Sequence, residues 1–92
     1  MQFMLQCFDK PGGLDLRMAT RPRHLEYVDA SGMKILVAGP MLSDAGDPIG
    51  SLFLLEADDV DAVRRFSAGD PYTQAGLFER VDIKGFRTVF PR

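Results

Sequence analysis

The chain has 92 residues, 46% hydrophobic and 26% charged, with 11 basic and 13 acidic side chains and a net charge of −2. That is the profile of one globular domain over residues 1–92, with no basic stripe for nucleic acid and no apolar run near the ~20 residues that cross a bilayer. A single cysteine, Cys7, and a single histidine, His24, exclude an internal disulfide and a Cys/His zinc site within one chain; with no signal-peptide pattern at the N-terminus, a cytoplasmic protein is expected.

The first segment, "MQFMLQCF", is short and rich in large apolar residues, and reads as a strand ended by "DKPGG". The next, "LDLRMATRPRHLEYVDASG", reads as a helix whose inward stripe is Leu14, Met18, Arg21, Leu25 and Val28, at spacings of four and three. Pro22 conflicts with an unbroken helix, so a kink or restart is expected there, with Pro22 in the first turn of the main helix. "MKILVAGPM" reads as a second strand ended by Gly39-Pro40, "LSDAGDPIG" as a polar turn, and "GSLFLLEA" as a third strand. "DDVDAVRRFSAG" reads as a second helix, capped by Asp58 or Asp59, with Val60, Val63 and Phe66 inward and Gly69 at its end. "LFERVDI" reads as a fourth strand and "FRTVF" as a short fifth one.

The order β-α-β-β-α-β is the split βαβ, or ferredoxin-like, pattern of an α+β fold: an antiparallel sheet with its helices on one face, plus a short C-terminal extra strand. The strands are apolar on both faces, yet two helices cover only one. An uncovered apolar face is avoided by soluble monomers, so a homodimer packed sheet to sheet is expected.

Several residues could carry chemistry. Arg17, Arg21, His24 and Val28 form a stripe beside the expected core stripe, a basic face suited to attracting an anion. A neutral imidazole can take a proton near pH 7, although a half-exposed helix histidine with no role is the commoner case. In "GDPYTQAG", Asp70 can cap a short helix that starts at Pro71 and ends at Gly76, and its second oxygen could face a histidine. Tyr72 could add a hydroxyl or simply pack. Gly39-Pro40 and Gly50-Ser51 sit at strand junctions that can line a pocket, or merely turn the chain. The acidic start of the second helix reads as dipole complementation, and Asp44 and Asp47 lack the spacing of a calcium loop. No P-loop, dinucleotide fingerprint or nucleophile elbow is present, so no cofactor and no metal is expected.

Taken together, these residues resemble the YciI-like (YCII-related) family almost end to end. The resemblance rests on "DK" with a following glycine after the first strand, on Arg21, His24 and Leu25 as "R-x-x-H-L", on "AGP" at residues 38–40, on Gly50-Ser51, and above all on "DPY-x-x-AG" from Asp70 to Gly76. It implies a ferredoxin-like domain of the dimeric α+β barrel type. It also implies a site centred on His24 and Asp70, with Arg21 nearby; the residue-level reading adds Arg17, Gly39, Pro40, Ser51 and Tyr72 as candidate substrate contacts. The expected function is a small cofactor-free enzyme of lyase or isomerase type, doing acid–base chemistry on a small, anionic molecule. The alternative is a non-catalytic ligand-binding or regulatory dimer. One geometric objection stands against a His24–Asp70 contact. If each helix runs antiparallel to its preceding strand and parallel to the other helix, like ends are adjacent and the two residues lie at opposite ends, unless the chain after Gly69 folds back. Contact is nevertheless the expectation.

Overall fold

A computed structural model describes all 92 residues. The elements are β1 (Gln2–Asp9), α1 (Leu14–Ala30), β2 (Lys34–Leu42), β3 (Pro48–Glu56), α2 (Val60–Gly69), α3 (Pro71–Gln74) and β4 (Phe78–Phe86). The four strands form one sheet in the order β2-β3-β1-β4, and every neighbouring pair is antiparallel. This is the ferredoxin-like α+β arrangement that the strand and helix periodicities imply.

Alternation along the strands sorts the residues between the two faces. Phe3, Leu5 and Cys7 of β1 and Phe53 and Leu55 of β3 point to the helices, where Val63 and Phe66 of α2 close the buried core. Met4 pairs with Leu54, and Gln6 with Leu52, on the other face. No helix covers that side, and Met4, Phe8, Leu52 and Leu54 are only half-buried there. No helix is long and apolar enough to cross a membrane.

Four expectations are corrected. First, α1 is one continuous helix with Pro22 inside it, not a restart. Pro22 and Met18, whose carbonyl loses its helical donor, both lie on the exposed side, where water can satisfy that oxygen. Second, the inward stripe of α1 is Arg17, Thr20 and His24, whereas Met18 and Leu25 are 53% and 42% exposed. The polar stripe is buried because each of its charged or titratable members finds a partner on another element. Third, Gly39 and Pro40 do not end β2 but lie within it, paired with Leu52 and Ser51. β2 is an edge strand, where a missing N–H is tolerated. Fourth, there is no fifth strand. β4 stays in register with β1 as far as Phe86 opposite Gln2, and residues 87–92 find no further strand to pair with.

The relative direction of the helices also differs from expectation. Because β1 and β3 are antiparallel, helices that each reverse on their own strand are antiparallel to one another. Tyr27 of α1 donates to the carbonyl of Phe66 on α2, while His24, earlier in α1, lies against Asp70, later in the chain. Pairs that descend along one helix as they ascend along the other are the signature of that antiparallel packing. The end of α2 therefore lies beside the middle of α1, and no fold-back is needed to bring Asp70 to His24.

Candidate functional site

The site begins at the break after α2. Asp70 closes α2 and is also the N-cap of the one-turn helix α3, its Oδ1 accepting from the Tyr72 backbone N–H at 2.9 Å. Pro71 supplies the fixed φ suited to a first helical turn. Thr73 and Gln74 donate from their side chains to the carbonyls of Ser67 and Ala68, tying α3 to the last turn of α2. Gly76, at φ +76°, turns the chain toward β4. Gly69 is needed for a different reason: a Cβ there would lie 2.5 Å from the Tyr27 hydroxyl.

This turn fixes Asp70 against α1. The same Oδ1 that caps α3 stands 2.8 Å from His24 Nδ1, and both side chains are buried. One oxygen does both jobs, where the sequence suggested one for each. A carboxylate only accepts, so its partner assigns the imidazole proton to Nδ1 and leaves the Nε2 lone pair free in the neutral ring. Nε2 has no hydrogen-bond partner in the protein, yet it is not sealed off, and His24 lines an open cleft.

The Tyr72 ring stacks on the imidazole, with centroids 4.0 Å apart and planes at 17°. The Arg17 guanidinium lies 4.6 Å from the centroid of the same Tyr72 ring. Arg17 is 4% exposed. Its Nε and one terminal nitrogen donate to the two oxygens of Asp9 at 2.7 and 2.9 Å, and that terminal nitrogen also donates to Ser51 Oγ at 2.9 Å. Burial disfavours the Arg17 charge, but the paired Asp9 carboxylate more than offsets this and holds the guanidinium above its ordinary range. Burial pushes the Tyr72 phenol up, with Arg17 and Arg21 pulling the other way and Asp70 and Asp9 adding to the rise.

The cleft has a volume of about 390 Å³ and lies between α1 and strands β2 and β3. It brings together Arg17, Arg21, His24, Gly39, Pro40, Ser51 and Tyr72. Asp70 stands behind His24 rather than on the lining. Met18, Leu25, Val28 and Phe53 make the wall partly apolar, which accounts for the exposed leucine and methionine on α1. Arg17 and Arg21 are not equivalent cations. Arg17 is matched by Asp9, whereas Arg21 is exposed and has no carboxylate partner in the chain. No group of three or more His, Cys, Asp or Glu side chains converges as a metal site. A larger hollow of about 560 Å³ lies at the Met1 and Phe86 end of the sheet, without a histidine or a buried charge. The histidine and the buried arginine line the cleft, not that hollow.

Asp9 is the site residue that sequence reasoning missed. It ends β1 in the "DK" pair, eight positions before Arg17. The signal was a carboxylate at a strand end followed by an arginine on a helix, but only the true rotation of α1 shows that this arginine is buried and in need of a partner.

The YCII-related domain family matches residues 1–87. Protein YciI of Escherichia coli is 33% identical, over 98% of this chain and all of the relative. A protein of Haemophilus influenzae is 30% identical over the same shares. Among solved structures, the 5-chloro-2-hydroxyhydroquinone dehydrochlorinase TftG of Burkholderia phenoliruptrix, in complex with 2,5-dihydroxybenzoquinone, superposes with a TM-score of 0.86. It has 35% identity and covers 95% of this chain and 94% of that one. An antibiotic biosynthesis monooxygenase at 17% identity and a TM-score of 0.58 shares the fold alone. The chain belongs to the YCII-related family, and a close structural neighbour in these comparisons is a small-molecule enzyme.

Proposed function

We propose that this YCII-related protein is a small enzyme that uses His24 and Asp70 for acid–base chemistry on a small anionic molecule: proton abstraction leading to isomerisation or elimination. The observation that carries this reading is the imidazole itself, held through Nδ1 by a buried carboxylate while an unpartnered Nε2 borders the cleft. A positioned base of this kind contributes roughly 10²- to 10⁴-fold to a proton-transfer step.

In the proposed reaction, a substrate O–H or C–H proton moves to Nε2 and its electron pair stays on the substrate. In an elimination from a hydroxylated ring, the imidazolium returns that proton to the carbon that bears the leaving group, and the pair left by loss of a second O–H proton expels the leaving anion through the intervening double bond, the second proton passing by the imidazole to water. Asp70 keeps the tautomer and balances the imidazolium charge. Arg21, without a carboxylate partner, draws in the anionic group, and Ser51, Tyr72, Gly39 and Pro40 shape the space around it. The dehydrochlorinase neighbour supports the elimination variant and a hydroxylated, quinone-like ring as substrate.

The working unit in this reading is a homodimer joined through the helix-free sheet face. The half-buried Met4, Phe8, Leu52 and Leu54 on that face support it, since a contiguous apolar patch of this kind marks an interface.

The test is chloride release from 5-chloro-2-hydroxyhydroquinone, above the uncatalysed rate, by the wild-type protein and by His24→Gln. Turnover that is lost in His24→Gln is the expected result. Binding of 2,5-dihydroxybenzoquinone without turnover of the chlorinated compound would mark a ligand-holding module, and turnover unaffected by His24→Gln would overturn the role of the imidazole.

A further inference from the structure

Arg17 and His24 lie seven residues apart on the buried side of α1, two turns or roughly 10.5 Å along the axis. The Tyr72 ring is 4.6 Å from the guanidinium of one and 4.0 Å from the imidazole of the other. The phenol ring therefore fills the gap between them, a sandwich of cation, aromatic ring and imidazole. Thr20, midway between the two on α1, is itself 1% exposed.

Stacking alone leaves a ring free to slide in its own plane and does not fix its distance from a flexible arginine. What fixes Arg17 is the pair of parallel hydrogen bonds to Asp9, reinforced by Ser51. A bidentate arginine–carboxylate pair constrains the plane of the guanidinium as well as its position. Asp9 is thus the outer end of a chain of contacts that runs through Arg17 and Tyr72 to His24. Asp70 holds the imidazole at one nitrogen, and this chain holds it by its face.

We infer that Asp9 is a positioning residue for His24: by locking the guanidinium of Arg17 it presses Tyr72 against the imidazole and fixes the direction in which Nε2 meets the cleft. Asp9 does not itself line the cleft. The inference deepens the reading of His24 as the acting group. Its test is independent of that reading, because it reports ring position and not turnover.

The chain has one histidine, so the imidazole C–H protons are identifiable in an NMR spectrum. Protons over the face of a phenol ring are shifted upfield by its ring current. They are compared on the alkaline plateau of the titration, where the imidazole is neutral in every variant. Tyr72→Leu sets the unshielded reference. In Asp9→Asn, an amide N–H faces the guanidinium where an oxygen accepted before, so the pair opens. The imidazole protons should then lose at least half of the upfield shift that separates wild type from Tyr72→Leu. Binding of 2,5-dihydroxybenzoquinone, followed by its visible absorbance, should weaken about tenfold. Asp9→Glu keeps the charge and lengthens the arm by one methylene, so it guards against loss of folding in Asp9→Asn. It should lose a smaller part of the shift and recover most of the binding. Imidazole shifts equal to wild type in a folded Asp9→Asn or Asp9→Glu would overturn the inference, even if either variant melted at a lower temperature. The expected loss of shielding in Asp9→Asn, with no chloride release by the wild-type protein, would instead count against the catalytic reading and leave the positioning intact.

Discussion

Gly69→Ala should be costly, and the cost should vanish when one distant oxygen is removed. The added Cβ would lie 2.5 Å from the Tyr27 hydroxyl, 3.1 Å from its Cζ and 3.3 Å from a ring carbon. The hydroxyl cannot simply retreat, because it donates to the Phe66 carbonyl at 2.9 Å and its ring stacks on Phe66 at 5.6 Å. Overpacking of this kind costs ~1–3 kcal/mol, and expelling the hydroxyl forfeits a hydrogen bond worth ~1 kcal/mol. Replacing glycine by alanine in a helix returns ~0.5–1 kcal/mol. The net loss is about 2 kcal/mol, a drop in Tm of roughly 8–16 °C for a domain of this size. Tyr27→Phe alone should cost ~1 kcal/mol through the lost hydrogen bond. In that background the 2.5 Å contact no longer exists and the remaining contacts yield, so Gly69→Ala should be neutral or slightly stabilising. Urea unfolding of the four proteins at one fixed concentration measures the cycle. Additive losses, with the double variant near 3 kcal/mol below wild type, would refute the claim that Gly69 is present to admit the Tyr27 hydroxyl.

The Cys7 thiol is pushed up to about 12, chiefly by burial and then by the Asp70 charge, so iodoacetamide at pH 8 should leave it unmodified in the native protein and alkylate it in urea. Its ordinary value is ~8.5 in an unfolded chain, so the neutral thiol stabilises the fold fully below that pH, and the contribution is lost as pH rises toward the folded value; Cys7→Ala should flatten the stability profile between those limits in urea titrations. Leu54→Asp, on the helix-free sheet face opposite Met4, should convert a species near 20 kDa, twice the 10.2 kDa chain mass, into monomer or aggregate in light scattering; an unchanged mass would argue against that face as the interface. Asp70→Asn should stay folded, because an amide oxygen can accept from both Tyr72 N–H and His24 Nδ1–H where Oδ1 does now. It should lower kcat for chloride release about 10²-fold through loss of the charge that balances the imidazolium, with a smaller effect on KM.

The fold was legible because the strands announce themselves. "QFMLQCF" and "SLFLL" alternate or run apolar within breakers, and the acidic cap and Val63-Phe66 spacing mark α2. Asp70 as the cap of a one-turn helix was also legible, since Asp-Pro with a glycine five positions after the proline permits little else. The rotation of α1 was not. Counting apolar residues puts Met18 and Leu25 inward, but both border the cleft, and the helix turns Arg17, Thr20 and His24 to the buried side. Periodicity reports which residues dislike water, not which polar ones have partners waiting elsewhere. Asp9, Ser51 and Asp70 come from three other places in the chain, and only the tertiary structure shows that together they satisfy a polar helix face. The same gap hid Asp9. Pro22 and Gly39-Pro40 misled for a related reason: breakers end elements where the lost hydrogen bond would be buried, and each of these lies where it is not.

In the proposed reading, the neutral His24 ring offers a bare Nε2 to the cleft because Asp70 holds the proton on Nδ1. The most direct measurement is a two-bond ¹H–¹⁵N correlation spectrum of the single imidazole, recorded where the ring is neutral. The two ring nitrogens separate by whether they carry a proton. A protonated Nδ1 and an unprotonated Nε2 are expected, with the Nε2 signal the one that moves when 2,5-dihydroxybenzoquinone is added. A proton on Nε2, or rapid averaging between the two tautomers, would contradict that reading.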